Sequence, residues 1–215
     1  MTANIKKIPL AFGSTQIELN IPEGNILSII LPSEPEIKED PAFLIKKALE
    51  NPIKSRRLSE IVNQDSSVVI IVSDVTRPTP TAKLLPPLLE ELYLGGAKNE
   101  NITIVFALGL HRNQTEEESR KLVGEEIYEK IRCIQHDTLR CRRIGISSRG
   151  TPIEIFEDIM DADVVIGAGS IEFHYYAGHS GGAKSVLPGV SSRESVITNH
   201  KMMIDEKAVS GRVDG

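Results

Sequence analysis

Three short runs constrain the fold of this chain more than any other feature of its sequence. They are SSVVIIV at 66–72, ITIVFA at 102–107 and ADVVIGA at 162–168, each dominated by apolar, β-branched residues. None alternates polar with apolar as a strand with one wet face would, so each reads as a strand buried on both sides. Such strands need helices over both faces of their sheet, and helical patterns do stand among them. The periodicity predicts helices over Pro41–Ala48 and Ser55–Val62, and a third ending at Leu94, where Gly95-Gly96 form the stop. Pro86 and Pro87 imply that this third helix starts or kinks there. Thr115-Glu-Glu-Glu118 is a capping box for a helix reaching about Lys130. Ser191-Ser-Arg-Glu194 reads as a second, opening a helix through about Ile204.

Residues 8–19 read as a hairpin turned at Gly13-Ser14, followed by the Pro- and acid-rich connector PSEPEIKEDP at 32–41. A short strand over Ile131–Ile134 precedes a second hairpin, Arg143–Ser147 with Pro152–Phe156, turned at Arg149-Gly150. The expected fold is therefore α/β: a mainly parallel, Rossmann-like sheet flanked by helices, with antiparallel hairpin additions, as a single domain over residues 1–215.

Composition narrows the partners. A net charge of −5 with no Lys/Arg run gives no electrostatic reason to expect nucleic acid. No apolar stretch approaches 18 residues, and MTANIKKIPL lacks the apolar core of a signal peptide, so no membrane is expected. The two cysteines, Cys133 and Cys141, form neither a C-x-x-C pair nor a disulfide framework; they read as small buried residues in a protein of the reducing cytoplasm.

In parallel sheets, sites gather where strands end at their carboxyl side. Three polar clusters occupy that position here: SDVTRPTP at 73–80, GLHRN at 109–113, and HYYAGHSGGAKSVLPGV at 174–190. The first sets Asp74 three residues from Arg77, a guanidinium suited to gripping a carboxylate or phosphate. In the second, His111 stands at a strand end. The third packs His174, His179, Lys184 and several glycines together. His200 lies on the last helical pattern, with Val196, Ile197, Met203 and Ile204 on its side, so its ring is expected to point inward to a core partner or a metal. His136 converges with nothing and reads as structural.

Gly178–Ser185 nearly matches the phosphate loop G-x-x-x-x-G-K-[ST], with Ala183 in place of the second glycine. A nucleotide-phosphate-binding module is thus one reading, and a non-catalytic metal or small-anion binding protein another. A crevice holding two or more histidines, an arginine and a lysine otherwise suits proton or hydride chemistry on a small anion.

Taken together, SDVTRPTP, GLHR, His174 with AGHSGGAKSVLPG, and Asn199-His200 resemble the nickel-dependent lactate racemase family. The matching pieces spread from residue 73 to 200. The resemblance implies an isomerase, a racemase or epimerase of a small 2-hydroxy acid, working with a nickel-pincer nucleotide made by cofactor-synthesis proteins. It implies that this pyridinium mononucleotide is tethered as a thioamide to Lys184, with nickel also bound by His200. It assigns His111 and His174 as bases for the substrate hydroxyl proton and Arg77 as the contact for the substrate carboxylate. Asp74 would position cofactor or substrate, and Thr76, Gly181 and Gly182 would line the cofactor, the glycines letting backbone approach it closely. Two departures stand out. His179 sits where the family leads one to expect an aromatic residue. Members also run to about twice this length, which implies that this chain is the N-terminal, cofactor-anchoring portion of a two-domain protein.

Overall fold

The computed structural model describes residues 4–31 and 36–213. Two compact units are present, Met1–Lys38 and Glu39–Gly215. In the first, β1 (Ile5–Phe12) pairs antiparallel with β2 (Thr15–Pro22) around Gly13, whose φ of +58° supplies the left-handed turn. Residues 32–35 of the expected connector lie outside the described residues.

The second unit opens with α1 (Pro41–Glu50), whose first amides are accepted by the Asp40 carboxylate. The Ser55–Val62 helix does not form. Only a 3-10 turn, Leu58–Glu60, is present there. Its partner explains the tighter shape: Glu91 accepts from the Arg57 guanidinium at 2.7 and 3.0 Å and from the Ser59 hydroxyl at 2.6 Å, pinning the segment to a neighbouring helix.

The central sheet is parallel, with β3 (Val68–Ser73), β4 (Ile102–Ala107), β5 (Arg132–Gln135) and β8 (Val164–Ala168) in the order β5-β4-β3-β8. β3 and β4 are buried on both faces, as their sequences require. Val68, Ile70, Val72, Ile104 and Phe106 pack with Leu85, Leu88, Leu89 and Leu92 of α2 (Thr81–Leu94) on one side. Val69, Ile71 and Val105 pack with Phe156, Ile159 and Val190 on the other. β8 differs from expectation: it is an edge strand, and alternate residues, including Val165, are exposed. Position in the sheet, which composition does not encode, decides this.

α2 starts five residues before Pro86 and runs through both prolines, losing two i→i−4 hydrogen bonds; burial of Leu85, Leu88, Leu89 and Leu92 holds it helical. The Thr115 capping box is present, but Gly124 at φ +92° divides the following helix into α3 (Glu116–Val123) and α4 (Glu125–Lys130). The second hairpin forms from β6 (Cys141–Ile146) and β7 (Pro152–Phe156), followed by the short α5 (Glu157–Met160). After β8, a small hairpin pairs β9 (Phe173–His174) with β10 (Gly178–His179). The last helix, α6 (Arg193–His200), is capped by Ser192 rather than Ser191, and a 3-10 turn, Lys201–Ile204, replaces its expected final turn. Ser191 is buried, its hydroxyl donating to the Val186 carbonyl, so it cannot serve as the cap. Among the described residues no helix is long and apolar enough to cross a membrane.

Candidate functional site

β3 lies between β4 and β8, so the connections leaving its neighbours diverge at the carboxyl ends of these strands. Such a switch point opens a crevice in parallel sheets. Here it holds a cavity of about 350 Å³ lined by Asp74, Arg77, His111, His174, Lys184 and His200, with Gly181 among the remaining wall. The three polar clusters and the end of α6 therefore do meet in one place.

The first wall is rigid. Asp74, 2% exposed, uses both carboxylate oxygens: Oδ1 accepts from the Thr76 amide (3.0 Å) and hydroxyl (2.6 Å), and Oδ2 accepts from His111 Nδ1 (2.5 Å). The next residue of the loop is held too, since the Val75 amide donates to the Gln114 side chain at 2.6 Å. Thr76 is therefore a brace for Asp74 and not part of the cavity lining. The second wall is tied to the third: Gly109, at φ +55°, donates its amide to the Gly189 carbonyl at 2.9 Å, locking the His111 turn to the segment that carries Lys184.

On the third wall, His174 accepts at Nδ1 from the Ala177 amide (3.2 Å) and stacks on Tyr175 at 4.8 Å. Tyr176 meets the His174 ring edge-on at 4.6 Å and the His200 ring at 5.5 Å, bridging the two histidines. Lys184 sits on a single 3-10 turn, Gly182–Ser185, preceded by a two-residue strand. A phosphate loop requires a strand directly before it and a long helix directly after; here the two-residue strand and the 3-10 turn both lie inside Gly178–Ser185.

The glycines have divided roles. A Cβ at Gly178 would stand 1.8 Å from the Arg212 carbonyl oxygen, so this glycine admits the chain's own backbone instead of a ligand. Gly181 lines the cavity, whereas Gly182 does not. His179 lies outside the lining as well; its ring packs 5.2 Å from Phe173 and its Nε2 bonds to the Gly211 carbonyl at 3.1 Å.

The electrostatics favour an anion and neutral nitrogen donors. Arg77 and Lys184 both line the cavity, and among the described residues neither has a carboxylate partner. Burial, then the neighbouring Arg77 charge, lowers the Lys184 pKa. His174 is lowered by burial and by Lys184, Arg77 and His200, and His200 by burial and Lys184. The apolar face expected around His200 is not a core: Val196 is buried, but Ile197, Met203 and Ile204 are exposed, and the ring turns to the cavity and Tyr176. His136 is buried away from the crevice with its pKa pushed down to about 4 by desolvation, edge-on to Phe156. The two cysteines are half-buried and unpaired, and burial raises both thiols to about 11. Among the described residues no group of three or more His, Cys, Asp or Glu side chains is placed to hold a metal ion by itself. Sequence reasoning passed over Tyr175 and Tyr176, although they stand beside His174; no spacing rule marks an aromatic as a bridge between imidazoles.

The family model for the lactate racemase N-terminal domain matches residues 12–211. The chain belongs to the lactate racemase N-terminal domain family. It is 34% identical over 198 residues to the lactate racemase of Thermoanaerobacterium thermosaccharolyticum, covering 90% of this chain and 46% of that protein. To the lactate racemase of Lactiplantibacillus plantarum it is 38% identical over 159 residues, 73% of this chain and 37% of that one. The chain thus spans less than half the length of these curated relatives. The solved apoprotein of the T. thermosaccharolyticum lactate racemase superimposes with a TM-score of 0.83 at 31% identity, over 98% of this chain and 50% of that one. A Thermotoga maritima protein shares the fold with a TM-score of 0.67 at 23% identity, over 81% and 44%. The expected α/β lactate racemase N-terminal domain is therefore what this family member has.

Proposed function

We propose that this chain is the cofactor-anchoring portion of a nickel-pincer racemase or epimerase acting on lactate or a similar small 2-hydroxy acid. The observation that carries the reading is the convergence of Arg77, His111, His174, Lys184 and His200 on one cavity in a member of this family. The side chains suit such a cofactor. A lysine whose pKa is lowered by burial has more of the free amine needed for an acyl or thioacyl bond. A histidine whose pKa is lowered by burial and by Lys184 favours the neutral form that offers a nitrogen to a metal. The described residues hold no three-donor cluster, which suits a metal that would arrive with most of its ligands already on a cofactor.

Each residue then has a task. Arg77 grips the substrate carboxylate, and Lys184 anchors the cofactor beside Gly181. His200 would supply one imidazole nitrogen to the nickel, a donor that suits Ni(II). Asp74 and Thr76 hold His111 in place instead of touching substrate. Hydride acceptance from the α-carbon is the chemistry that the nucleotide would supply when bound. That chemistry is needed because the α-proton of a hydroxy carboxylate is far too weakly acidic to be removed by an imidazole. His111 and His174 take up and return the hydroxyl proton, and their placement on separate walls allows the hydroxyl of either mirror image to be served. The two free thiols are compatible with a cytoplasmic enzyme.

The test uses full-length protein expressed together with cofactor-synthesis enzymes. His111→Ala and His174→Ala should each lose turnover of lactate while keeping nickel, and His200→Ala should lose nickel. Full turnover in either of the first two variants would refute the assigned bases. Stoichiometric nickel with no covalent modification would favour a binding protein without catalysis.

A further inference from the structure

The two histidines of the crevice face different partners through the same ring atom. His111 Nδ1 lies 2.5 Å from Asp74 Oδ2, a carboxylate oxygen that can only accept. His174 Nδ1 lies 3.2 Å from the amide nitrogen of Ala177, a group that can only donate. A neutral imidazole carries one proton, so the partner of Nδ1 decides what Nε2 presents. We propose that His111 and His174 rest in opposite tautomers, His111 with its proton on Nδ1 and His174 with its proton on Nε2, so that only His111 offers a lone pair at Nε2 to the crevice.

The constraint is built into the fold on both sides. Asp74 is buried and its other oxygen is occupied by Thr76, so the carboxylate cannot swing away from His111. On the other wall, the Ala177 amide lies in the tight turn between β9 and β10, and Tyr175 and Tyr176 hold the His174 ring from two directions. Asp74 and the Ala177 amide are therefore positioning groups, acting on the substrate only through the rings they orient.

The inference deepens the racemase reading and rests on it for its consequence. A hydroxyl presented to His111 passes its proton directly to Nε2: the O–H bond breaks, the N–H bond forms, and the resulting imidazolium keeps Nδ1–H against the Asp74 carboxylate. A hydroxyl presented to His174 meets an N–H donor. Its proton is accepted there only after the Ala177 bond is given up, Nε2 has lost its own proton to solvent and Nδ1 has taken one from solvent. The two mirror images thus enter an asymmetric site.

The test is a long-range proton–nitrogen correlation spectrum of the histidine rings in nitrogen-15-labelled protein. It is run about two pH units above the ordinary imidazole value, and only the signals of neutral rings are read. Spectra of His111→Gln and His174→Gln assign the signals. The expected result is a pyridine-type resonance for Nε2 of His111 and for Nδ1 of His174. In Asp74→Ala, His111 should shift toward the Nε2–H form favoured by free imidazole while His174 stays unchanged. The same tautomer in both rings of the unmodified protein overturns the proposal, whether or not the Asp74 variant folds. This readout is independent of turnover and of the lysine adduct, so its failure leaves the racemase reading standing, and failure of that reading leaves the tautomers measurable.

Discussion

Replacing Gly178 by alanine should loosen the wall that carries His174. Gly178 pairs with His174 across the β9–β10 hairpin, has φ +77°, and would set a Cβ 1.8 Å from the Arg212 carbonyl oxygen. The left-handed backbone alone costs an alanine about 1 kcal/mol. Relieving the overlap requires the 211–213 backbone to retreat by more than 1 Å, about the difference between 1.8 Å and a normal contact. That retreat breaks the Gly211 amide bond to the Gly178 carbonyl (2.9 Å) and strains the His179 bond to the Gly211 carbonyl (3.1 Å), at about 1 kcal/mol each. The expected loss is about 3 kcal/mol, capped by whatever it costs the terminal segment to detach. Gly182→Ala is the internal comparison: its φ is +53° but nothing lies within 4 Å of the added Cβ, so about 1 kcal/mol is expected. Urea midpoints and amide exchange at Gly211 read both effects. Equal midpoints for the two variants, with Gly211 protection unchanged in Gly178→Ala, would show that the terminal segment does not brace this hairpin.

Other outcomes follow from the same contacts. Leu92→Ala removes a fully buried side chain between α2 and the sheet and should cost about 2–5 kcal/mol by denaturant unfolding. The Arg57 hydrogen bonds hold the Glu91 carboxyl down at about 2, so its contribution is present above the unfolded value near 4.5 and is lost as pH falls toward 2. With Arg57 one-third exposed, Glu91→Gln should cost roughly 2 kcal/mol at neutral pH and flatten that acid limb. Lys184→Met removes one of the charges that lower His174, so the imidazole should titrate at higher pH when followed by NMR.

The sequence made the centre of the sheet legible because β3 and β4 are flanked on every side, and an unbroken β-branched run is what such an environment selects. β8 has nearly the same composition yet is an edge strand, since strand order depends on long-range connections. The break at Gly124 and the cap at Ser192 escape the sequence for local reasons. A glycine inside a helical period can either be tolerated or cut the helix, and two adjacent serines offer equal caps until Ser191 is claimed by the Val186 carbonyl. The strand-end rule puts Asp74, Arg77 and His111 at the carboxyl ends of β3 and β4, and the structure has them lining one cavity. What lay beyond reach was the division of labour: that Asp74 is consumed by Thr76 and His111, that Gly178 accommodates Arg212, and that Tyr176 spans two imidazoles. Each depends on a contact between residues far apart in the chain.

The central claim is that the amine of Lys184 anchors a nickel-bearing nucleotide. Mass spectrometry of the Lys184 peptide, from full-length protein made alongside cofactor-synthesis enzymes, addresses it directly. The account predicts a nucleotide-sized covalent adduct on that lysine, absent from Lys184→Ala. An unmodified lysine in folded protein from the same preparation, whatever its nickel content, would contradict it.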